Sequence, residues 1–303
     1  MMRRLSVFLA IAIGMSAWFG MQSESSAARL KKTVAVSRFE NKSNWRGQWA
    51  LDDGMADQLT EALVQSGQFV VLERQTLGDV LAEQDLAASG RAAKSKTAQT
   101  GKIIPAQILI MGAITEFEHS SAGGGAGISV GKLKLGGKGG SAHVGLIIRL
   151  IDTTTSQVLD SQRVEGKAKS GGLGIGVTTK DVAFGSSGFK KTPLGKATQQ
   201  AINNAVDFIL AKMEGVPFQG KIIKVQGDQI FLNVGERNGV QSGDQFVTYR
   251  PGEQIVDEDT GEVLGSEEER AGVVRVGQVK EKYSTATKVE GATIEKGDMV
   301  RWE

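Results

Sequence analysis

Three short stretches contain residue types that could bind phosphate or metal. The stretch Gly215–Ile222 has the glycine and lysine spacing of a phosphate-binding loop, but it lacks the final Ser or Thr and leads into a strand pattern. The stretch Gly137–Ala142 has the glycines of a dinucleotide-binding loop without the strand that should precede them. The acids of Asp257–Glu262 could bind calcium, but they are out of register with an EF-hand loop. A hairpin turn with solvated acids is the favoured interpretation of this last stretch.

Residues for acid–base or nucleophilic chemistry are equally sparse. His119 and His143 are the only histidines and the chain has no cysteine, so a zinc site is not expected. Ser-His-Asp catalysis has no positional support. We therefore predict no catalytic residue, no metal ligand and no cofactor, and a protein that is not an enzyme; a hydrolase is the least favoured class. Lys+Arg 36 against Asp+Glu 34, with no basic patch interleaved with aromatic residues, predicts no nucleic-acid partner.

The most unusual part of the chain consists of two glycine-rich segments with alternating aliphatic residues, Ser121–Gly140 and Ser170–Thr179. The alternation has a period of two, which is typical of strands with one apolar face. We predict that these strands face lipid, and their apolar positions are Ile128, Val130, Leu133, Leu135, Leu173, Ile175 and Val177. The change of phase between Val130 and Leu133 is interpreted as a bulge at Gly131. A disordered glycine-rich loop is the alternative interpretation of both segments.

The two segments would form hairpins at about residues 116–150 and 160–190. Four strands cannot close a barrel, and each unpaired backbone group in hydrocarbon costs several kcal/mol. If the hairpins span a membrane, their edges must therefore pair with those of identical subunits in a ring around a water-filled lumen.

The flanking sequence predicts an α/β domain of two or three layers. Leu51, Met55, Leu59 and Leu63 form a helical stripe that ends at Gly67, and Thr192-Pro193 is a helix start. Thr76–Asp79 has the spacing of a capping box, and the helix after it offers Leu77, Val80, Leu81 and Leu86 for burial. The strand 143–152 is expected to direct Val144, Leu146, Ile148 and Leu150 to one face and Ile147 and Ile151 to the other.

The two ends of the chain are predicted to be separate units. Residues 1–28 have the basic start, apolar middle and small-residue site of a cleaved signal peptide, and no cysteine is present for an N-terminal lipid anchor. Residues 29–215 would form the α/β domain. Residues 216–303 contain short strands separated by Gly, Asn and Pro turns, which predict a small all-β domain.

Several of these stretches resemble the CsgG family, the curli production assembly/transport component of bacterial outer membranes. They are Thr33–Ser37, the helix end Thr60–Leu63, Phe69–Gln75, Ile110–Ile114, Asp152–Leu159 and the helix from Leu194. The resemblance covers about Lys32 to Glu214, and Leu72-Glu-Arg-Gln75 is its most specific part. The C-terminal domain resembles the small barrel of flagellar assembly protein T, which implies binding or ring assembly.

The resemblance implies a non-enzymatic secretion pore. Its fold class would be a CsgG-like periplasmic α/β domain with two β-hairpins that contribute to an oligomeric transmembrane β-barrel. The expected partners are the outer membrane, further copies in a ring (a nonamer by resemblance), an unfolded exported curli-like or other fibre subunit, and an accessory periplasmic cap protein. The α/β and C-terminal domains would lie in the periplasm.

The resemblance also implies a constriction formed by the loop between the first strand and the first helix. By position this loop is Glu40 to Ala50, and its predicted pore residues are Asn41, Asn44, Trp45, Gln48 and Trp49. Neutral amides and flat indole rings would let an extended chain slide without binding tightly. Two alternatives stay open: the tryptophans could pack between subunits or against the body, and the protein could be a soluble periplasmic scaffold, adaptor or cell-wall enzyme activator.

Overall fold

The computed structural model describes residues 30–47, 49–89, 91–92, 103–121, 128–130, 133–135, 140–170, 183–259 and 263–302. A sheet of the order β3-β1-β4-β7-β8, with β2 on β4, forms the main body. Its strands are β1 (Lys32–Val36), β2 (Glu40–Asn41), β3 (Phe69–Leu72), β4 (Ile108–Ser121), β7 (Gly140–Asp152) and β8 (Val158–Ser170). β3, β1 and β4 are parallel, whereas β4, β7 and β8 are antiparallel.

Two long helices, α1 (Leu51–Ser66) and α4 (Pro193–Glu214), pack against one face of this sheet, so the predicted α/β domain has two layers. The α1 stripe is buried as predicted, and the helix ends at Gly67 in the left-handed conformation (φ 67°). The hydroxyl of Thr192 accepts a hydrogen bond from the backbone N–H of Gly195 (2.9 Å), which confirms the predicted start of α4. Among the described residues, no helix has the length and apolarity needed to cross a membrane.

The helix α2 (Leu77–Ala88) differs from its prediction. None of its residues is buried, and Val80, Leu81 and Leu86 are each more than 40% exposed. The capping box is also wrong, because the Thr76 side chain caps no backbone N–H. The apolar pattern predicts the helix itself, but whether its apolar side chains are buried depends on a neighbouring element that the local pattern does not reveal.

The strands β4, β7 and β8 continue to one shared end of the sheet. Gly140 pairs with Ser121 on one side and with Ser170 on the other. Both glycine-rich segments therefore leave the body from this end, which agrees with two excursions from one domain. At the opposite end of the sheet, Ile108 pairs with Asp152.

Within the first glycine-rich segment, β5 (Ile128–Val130) and β6 (Leu133–Leu135) form an antiparallel pair. Ile128 pairs with Leu135 and Val130 pairs with Leu133. The predicted bulge position, Gly131, lies outside the described residues. The change of phase falls between two antiparallel strands, each of which has its own parity.

The C-terminal strands close a six-stranded barrel with the cyclic order β10-β13-β12-β11-β14-β9. They are β9 (Gln219–Gln226), β10 (Gln229–Leu232), β11 (Gln245–Val256), β12 (Val263–Val279), β13 (Ser284–Gly291) and β14 (Met299–Arg301). Phe246, Ile222, Leu232, Val274 and Val300 are fully buried in its core.

The barrel packs at the end of the sheet opposite the glycine-rich segments. Leu30 belongs to the barrel core, and the backbone N–H of Lys31 donates to the carbonyl of Asn238 (2.8 Å). The Gln107 amide donates to the carbonyl of Pro217 (3.0 Å). Nearby, the Lys32 ammonium donates to the carbonyl of Met213 (2.5 Å), and burial lowers the pKa of Lys32 against a weaker opposing attraction from Glu214.

Candidate functional site in the aromatic loop and at the base of the projecting strands

The loop between β1 and α1 is held against the middle of β4. Its short strand β2 pairs in parallel with Ala113 and Ile114. The Asn41 carboxamide oxygen accepts hydrogen bonds from both the backbone N–H (3.1 Å) and the hydroxyl (2.7 Å) of Ser43. The Ser43 hydroxyl in turn accepts from the backbone N–H of Trp45 (3.3 Å). These local bonds give the loop a fixed path toward its two tryptophans.

A cluster of five aromatic rings joins the loop to the body of the domain. Trp45 stacks on Trp49 with ring centroids 5.3 Å apart, and both rings meet the edge of Phe117. Trp49 continues the cluster to Phe189 at 5.1 Å and to Phe184 at 5.9 Å. Phe189 lies on the short helix α3 (Ser187–Lys191), which follows the second glycine-rich segment. The loop is thereby connected to both the outgoing strand β4 and the returning chain.

An open cleft of about 770 Å³ lies between the loop and β4. Its lining includes the following residues of the loop, of β4 and of α4: Asn44, Trp45, Arg46, Gly47, Trp49, Thr115, Glu116, Phe117, Glu118, His119 and Leu194. The Trp45 indole nitrogen is buried and has no hydrogen-bond partner among the described residues. The cleft thus combines apolar rings with charged groups of both signs, which suits contact with a polypeptide better than with a small apolar ligand.

A belt of charge crosses β4, β7 and β8 at the base of the glycine-rich segments. The Arg163 guanidinium lies 2.9 Å from the Glu116 carboxylate and 3.0 Å from the Glu165 carboxylate. Glu165 also pairs with the Lys167 ammonium at 2.7 Å. Gly145 lies between Glu116 and Glu165 in the strand register, and a Cβ at Gly145 would collide with the Glu116 carboxylate. This glycine leaves the space in which the charges meet.

The structure places the predicted site residues unequally. Asn41 and Asn44 are exposed on the loop, Trp45 is half-buried, and Trp49 is only 8% exposed within the core cluster. Both tryptophans pack against the body, as one of the alternative interpretations expects. Gln48 and the residues Leu173, Ile175 and Val177 lie outside the described residues. The pore-lining and lipid-facing roles stay predictions.

The charged belt is the part of the site that the sequence interpretation missed. On β8 the residues Arg163, Glu165, Lys167 and Lys169 recur with a period of two, which marks a wet strand face. That signal could have predicted one charged face, but not its partner Glu116 on β4. His143 faces the same belt, with its Nε2 3.3 Å from the Glu165 carboxylate.

A metal site finds no candidate in the part of the chain that the structure describes. No group of three or more histidine, aspartate or glutamate side chains is arranged there to hold a metal ion. Asp257 and Asp259 instead lie in the turn between β11 and β12, where the backbone N–H of Asp259 donates to the Asp257 carboxylate (2.9 Å). This position agrees with the favoured interpretation of a hairpin turn.

Comparison with known proteins adds a family match and several distant structural likenesses. The family model for the curli production assembly/transport component CsgG matches residues 15–242. No curated protein sequence is significantly similar to this chain.

Several solved structures with low sequence identity are similar to this chain. They include the hypothetical protein CT253 from Chlamydia trachomatis (14% identity, TM-score 0.39, covering 61% of this chain and 96% of that chain). They also include the PelC dodecamer from Paraburkholderia phytofirmans (15% identity, TM-score 0.27, 58% and 86%) and protein XCC0632 from Xanthomonas campestris (12% identity, TM-score 0.33, 63% and 88%). These scores are too low to carry any argument about function or assembly.

Proposed function

Because the chain belongs to the CsgG family, we propose that it is a subunit of a ring-shaped secretion pore in the bacterial outer membrane. The ring passes unfolded protein outward by diffusion and carries out no chemistry itself. Two hairpins per subunit, built from the glycine-rich segments, form the membrane wall. The α/β domain and the C-terminal barrel remain in the periplasm.

The observation that carries this proposal is the shared exit of the two glycine-rich segments. Ser121, Gly140 and Ser170 lie side by side in three neighbouring strands, so both segments continue from one end of the sheet. Hairpins that leave together can enter one bilayer together. Their outer edges then lack backbone partners, and a ring of identical subunits provides them.

The charged belt supports the proposed depth of insertion. Arg163, Glu165 and Lys167 lie just before the second segment, and Glu116 lies just before the first. Charged side chains are costly in hydrocarbon and stable in water or at the headgroups. The belt therefore fits the membrane boundary, with the segments beyond it in lipid.

The aromatic loop supports a constriction beside the exit. Its amides Asn41 and Asn44 are exposed, and the aromatic cluster fixes its position on β4. The half-buried ring of Trp45 offers a flat apolar surface. A passing extended chain can contact this surface without a deep pocket.

The proposal is tested with the full chain expressed with its own N-terminal segment. We expect heat-modifiable oligomers in the outer-membrane fraction, rings with a central hole in particle images, and ion conductance in planar bilayers. Replacing Asn44 with Trp should lower the conductance of assembled rings, whereas the same replacement at exposed Val289 of the barrel should not. A monomer that stays in the soluble periplasmic extract would remove the pore and favour the scaffold interpretation.

A further inference from the structure

The hairpin β11–β12 extends beyond the barrel as a two-stranded ribbon. Within the barrel, β11 pairs with β14 at Val247–Tyr249, and β12 pairs with β13 from Gly272 onward. Beyond these points the hairpin consists of residues 250–256 and 263–270. Among the described strands, no third strand pairs with either of these two stretches. At about 3.3 Å per residue, the ribbon projects roughly 20 Å. A two-stranded ribbon is at best marginally stable in water, so a partner surface would stabilise it.

The ribbon combines exposed aliphatic side chains with negative charge. Ile255 and Val256 are 50% and 43% exposed near its tip. Residues 251–269 contain no Lys or Arg, and their acids are Glu253, Asp257, Glu258, Asp259, Glu262, Glu267, Glu268 and Glu269. Glu268 is bonded to Arg301 of the barrel, which fixes the base of the ribbon. The ribbon thus presents one exposed aliphatic side chain on each of its faces near the tip, with acids close to both.

The β9–β10 side of the barrel has the opposite charge around a similar apolar centre. Leu232 pairs with Ile222 and Phe231 with Lys224, so Ile223 is left out of the ladder and is 44% exposed. The Lys224 ammonium lies over the Phe231 ring (5.3 Å), and Phe231 lies 6.3 Å from the exposed Tyr283. Exposed lysines surround these side chains at 221, 224, 280 and 282, with exposed acids in the turns at 228, 236 and 281.

The barrel topology keeps these two surfaces apart within one molecule. In the closed order, β13 on one side and β14 on the other separate the β9–β10 pair from the β11–β12 pair. The two pairs therefore lie on opposite sides of the barrel. A contact between them must join two molecules, and a contact between two different surfaces is head-to-tail, which closes into a ring when the rotation allows.

We propose that the β11–β12 ribbon of one copy docks on the β9–β10 face of the next copy, with Ile255 against Ile223, Phe231 and Tyr283. The acids of the tip then face Lys224 and its neighbouring lysines. This contact would order the ribbon and steer assembly, since opposite charges favour the correct encounter. The closure of these contacts into a ring rests on the proposed function. The ribbon itself consists of β11 and β12, which lie beyond the residues 15–242 that the CsgG family model matches.

Disulfide crosslinking tests the contact without interference, because the natural chain contains no cysteine. Full-length Ile255→Cys and Ile223→Cys variants are purified separately, mixed under assembly conditions and oxidised. We expect covalent dimers from the mixture and none from either variant alone. Val64→Cys, which replaces another exposed aliphatic residue on α1, mixed with Ile255→Cys is the control and should give no dimer.

Charge reversal provides a second, independent readout. Glu258→Lys together with Asp259→Lys should reduce assembly by roughly tenfold or more, because like charges then face each other. Lys224→Glu together with Lys282→Glu should have the same effect, and one chain that carries all four substitutions should assemble again. Loss without restoration in the fourfold variant would overturn the contact.

The outcomes separate this contact from the pore. Rings without the Ile255–Ile223 crosslink would overturn the docking and leave the pore intact. The crosslink in a protein that never reaches the membrane would support the docking and remove the pore. Dimers from Ile255→Cys alone would indicate ribbon-to-ribbon pairing and would also overturn the proposal.

Discussion

The indole ring of Trp45 stacks on that of Trp49 at a centroid distance of 5.3 Å, with 16° between the ring planes. Only Trp49 is buried, and it continues the contact to Phe189 at 5.1 Å. The two similar side chains therefore have different roles. Trp49 anchors the loop in the core, whereas the ring of Trp45 lines the cleft.

Replacing each tryptophan with alanine should separate these tasks. Trp49→Ala should lower the free energy of unfolding by about 3–5 kcal/mol, since it opens a large cavity in the aromatic cluster. Trp45→Ala should cost clearly less and should instead alter conductance of the assembled pore. Urea unfolding of the two variants gives the comparison. Equal losses of stability would contradict the assignment of Trp49 as the anchor.

Gly166 should be intolerant of alanine because β8 and α4 are in close contact there. A Cβ at Gly166 would collide with the backbone carbonyl of Ala197 and lie 2.6 Å from the nitrogen of Ala201. We expect Gly166→Ala to destabilise the domain by about 1–3 kcal/mol, as overpacking does. The control is Gly78→Ala in α2, where a Cβ meets open space and should be neutral or slightly stabilising. Thermal unfolding of both variants would decide, and a stable Gly166→Ala protein would argue against this packing.

Because of Lys32, the free energy of unfolding should increase as the pH rises through the alkaline range. Burial lowers its folded-state pKa below the ordinary value of 10.5, with Glu214 opposing the shift. The protonated lysine therefore favours the unfolded chain. As pH rises through the folded pKa, the folded state loses its proton first and the free energy of unfolding increases, until the unfolded lysine also titrates.

The measurement for Lys32 is the difference in pH dependence between the natural protein and Lys32→Met. Other groups titrate in both proteins and cancel in that difference. The natural protein should gain stability relative to the variant between the lowered pKa and 10.5. Parallel curves over that range would show that Lys32 is not desolvated.

The prediction that one face of the second glycine-rich segment meets lipid can be tested by placing the same charge on each face of the predicted strand in turn. Ile175→Asp places a carboxylate on the predicted apolar face and should cost on the order of 2 kcal/mol in the membrane-inserted form. Thr178→Asp, on the other face of the predicted strand, is the matched control. Rings in the outer-membrane fraction should be lost for the first variant and retained for the second. Equal assembly of both would count against insertion of this strand.

The elements that the sequence predicted well are those whose own residues carry the full signal. The α1 stripe and the alternation of Val144 to Leu150 match the observed burial because period and burial coincide there. Thr192 caps α4 because a proline follows it and the backbone N–H of Gly195 donates to its hydroxyl. Thr76 has the sequence spacing of a capping box, but its side chain makes no such bond.

The features that the sequence missed depend on distant partners. The exposure of α2, the ion pairs of Arg163 with Glu116 and Glu165, and the length of the ribbon are set by pairing across the chain. The ribbon residues 250–256 and 263–270 are rich in Glu and contain Gly and Pro, which are poor strand formers. Their strand conformation comes from mutual pairing rather than from local preference.

The glycine-rich segments and the barrel lie at opposite ends of β4, so the length of this strand sets the distance between them. Thirteen residue steps from Ile108 to Ser121, at about 3.3 Å each, separate the two ends by roughly 40 Å. In the proposed pore, a subunit that enters the outer membrane at one end therefore holds its barrel on the periplasmic side of the lipid. An exported chain arriving from the periplasm would then meet a ring of barrels before it met the aromatic loop, so the barrels would be the first point at which the proposed pore selects its substrate.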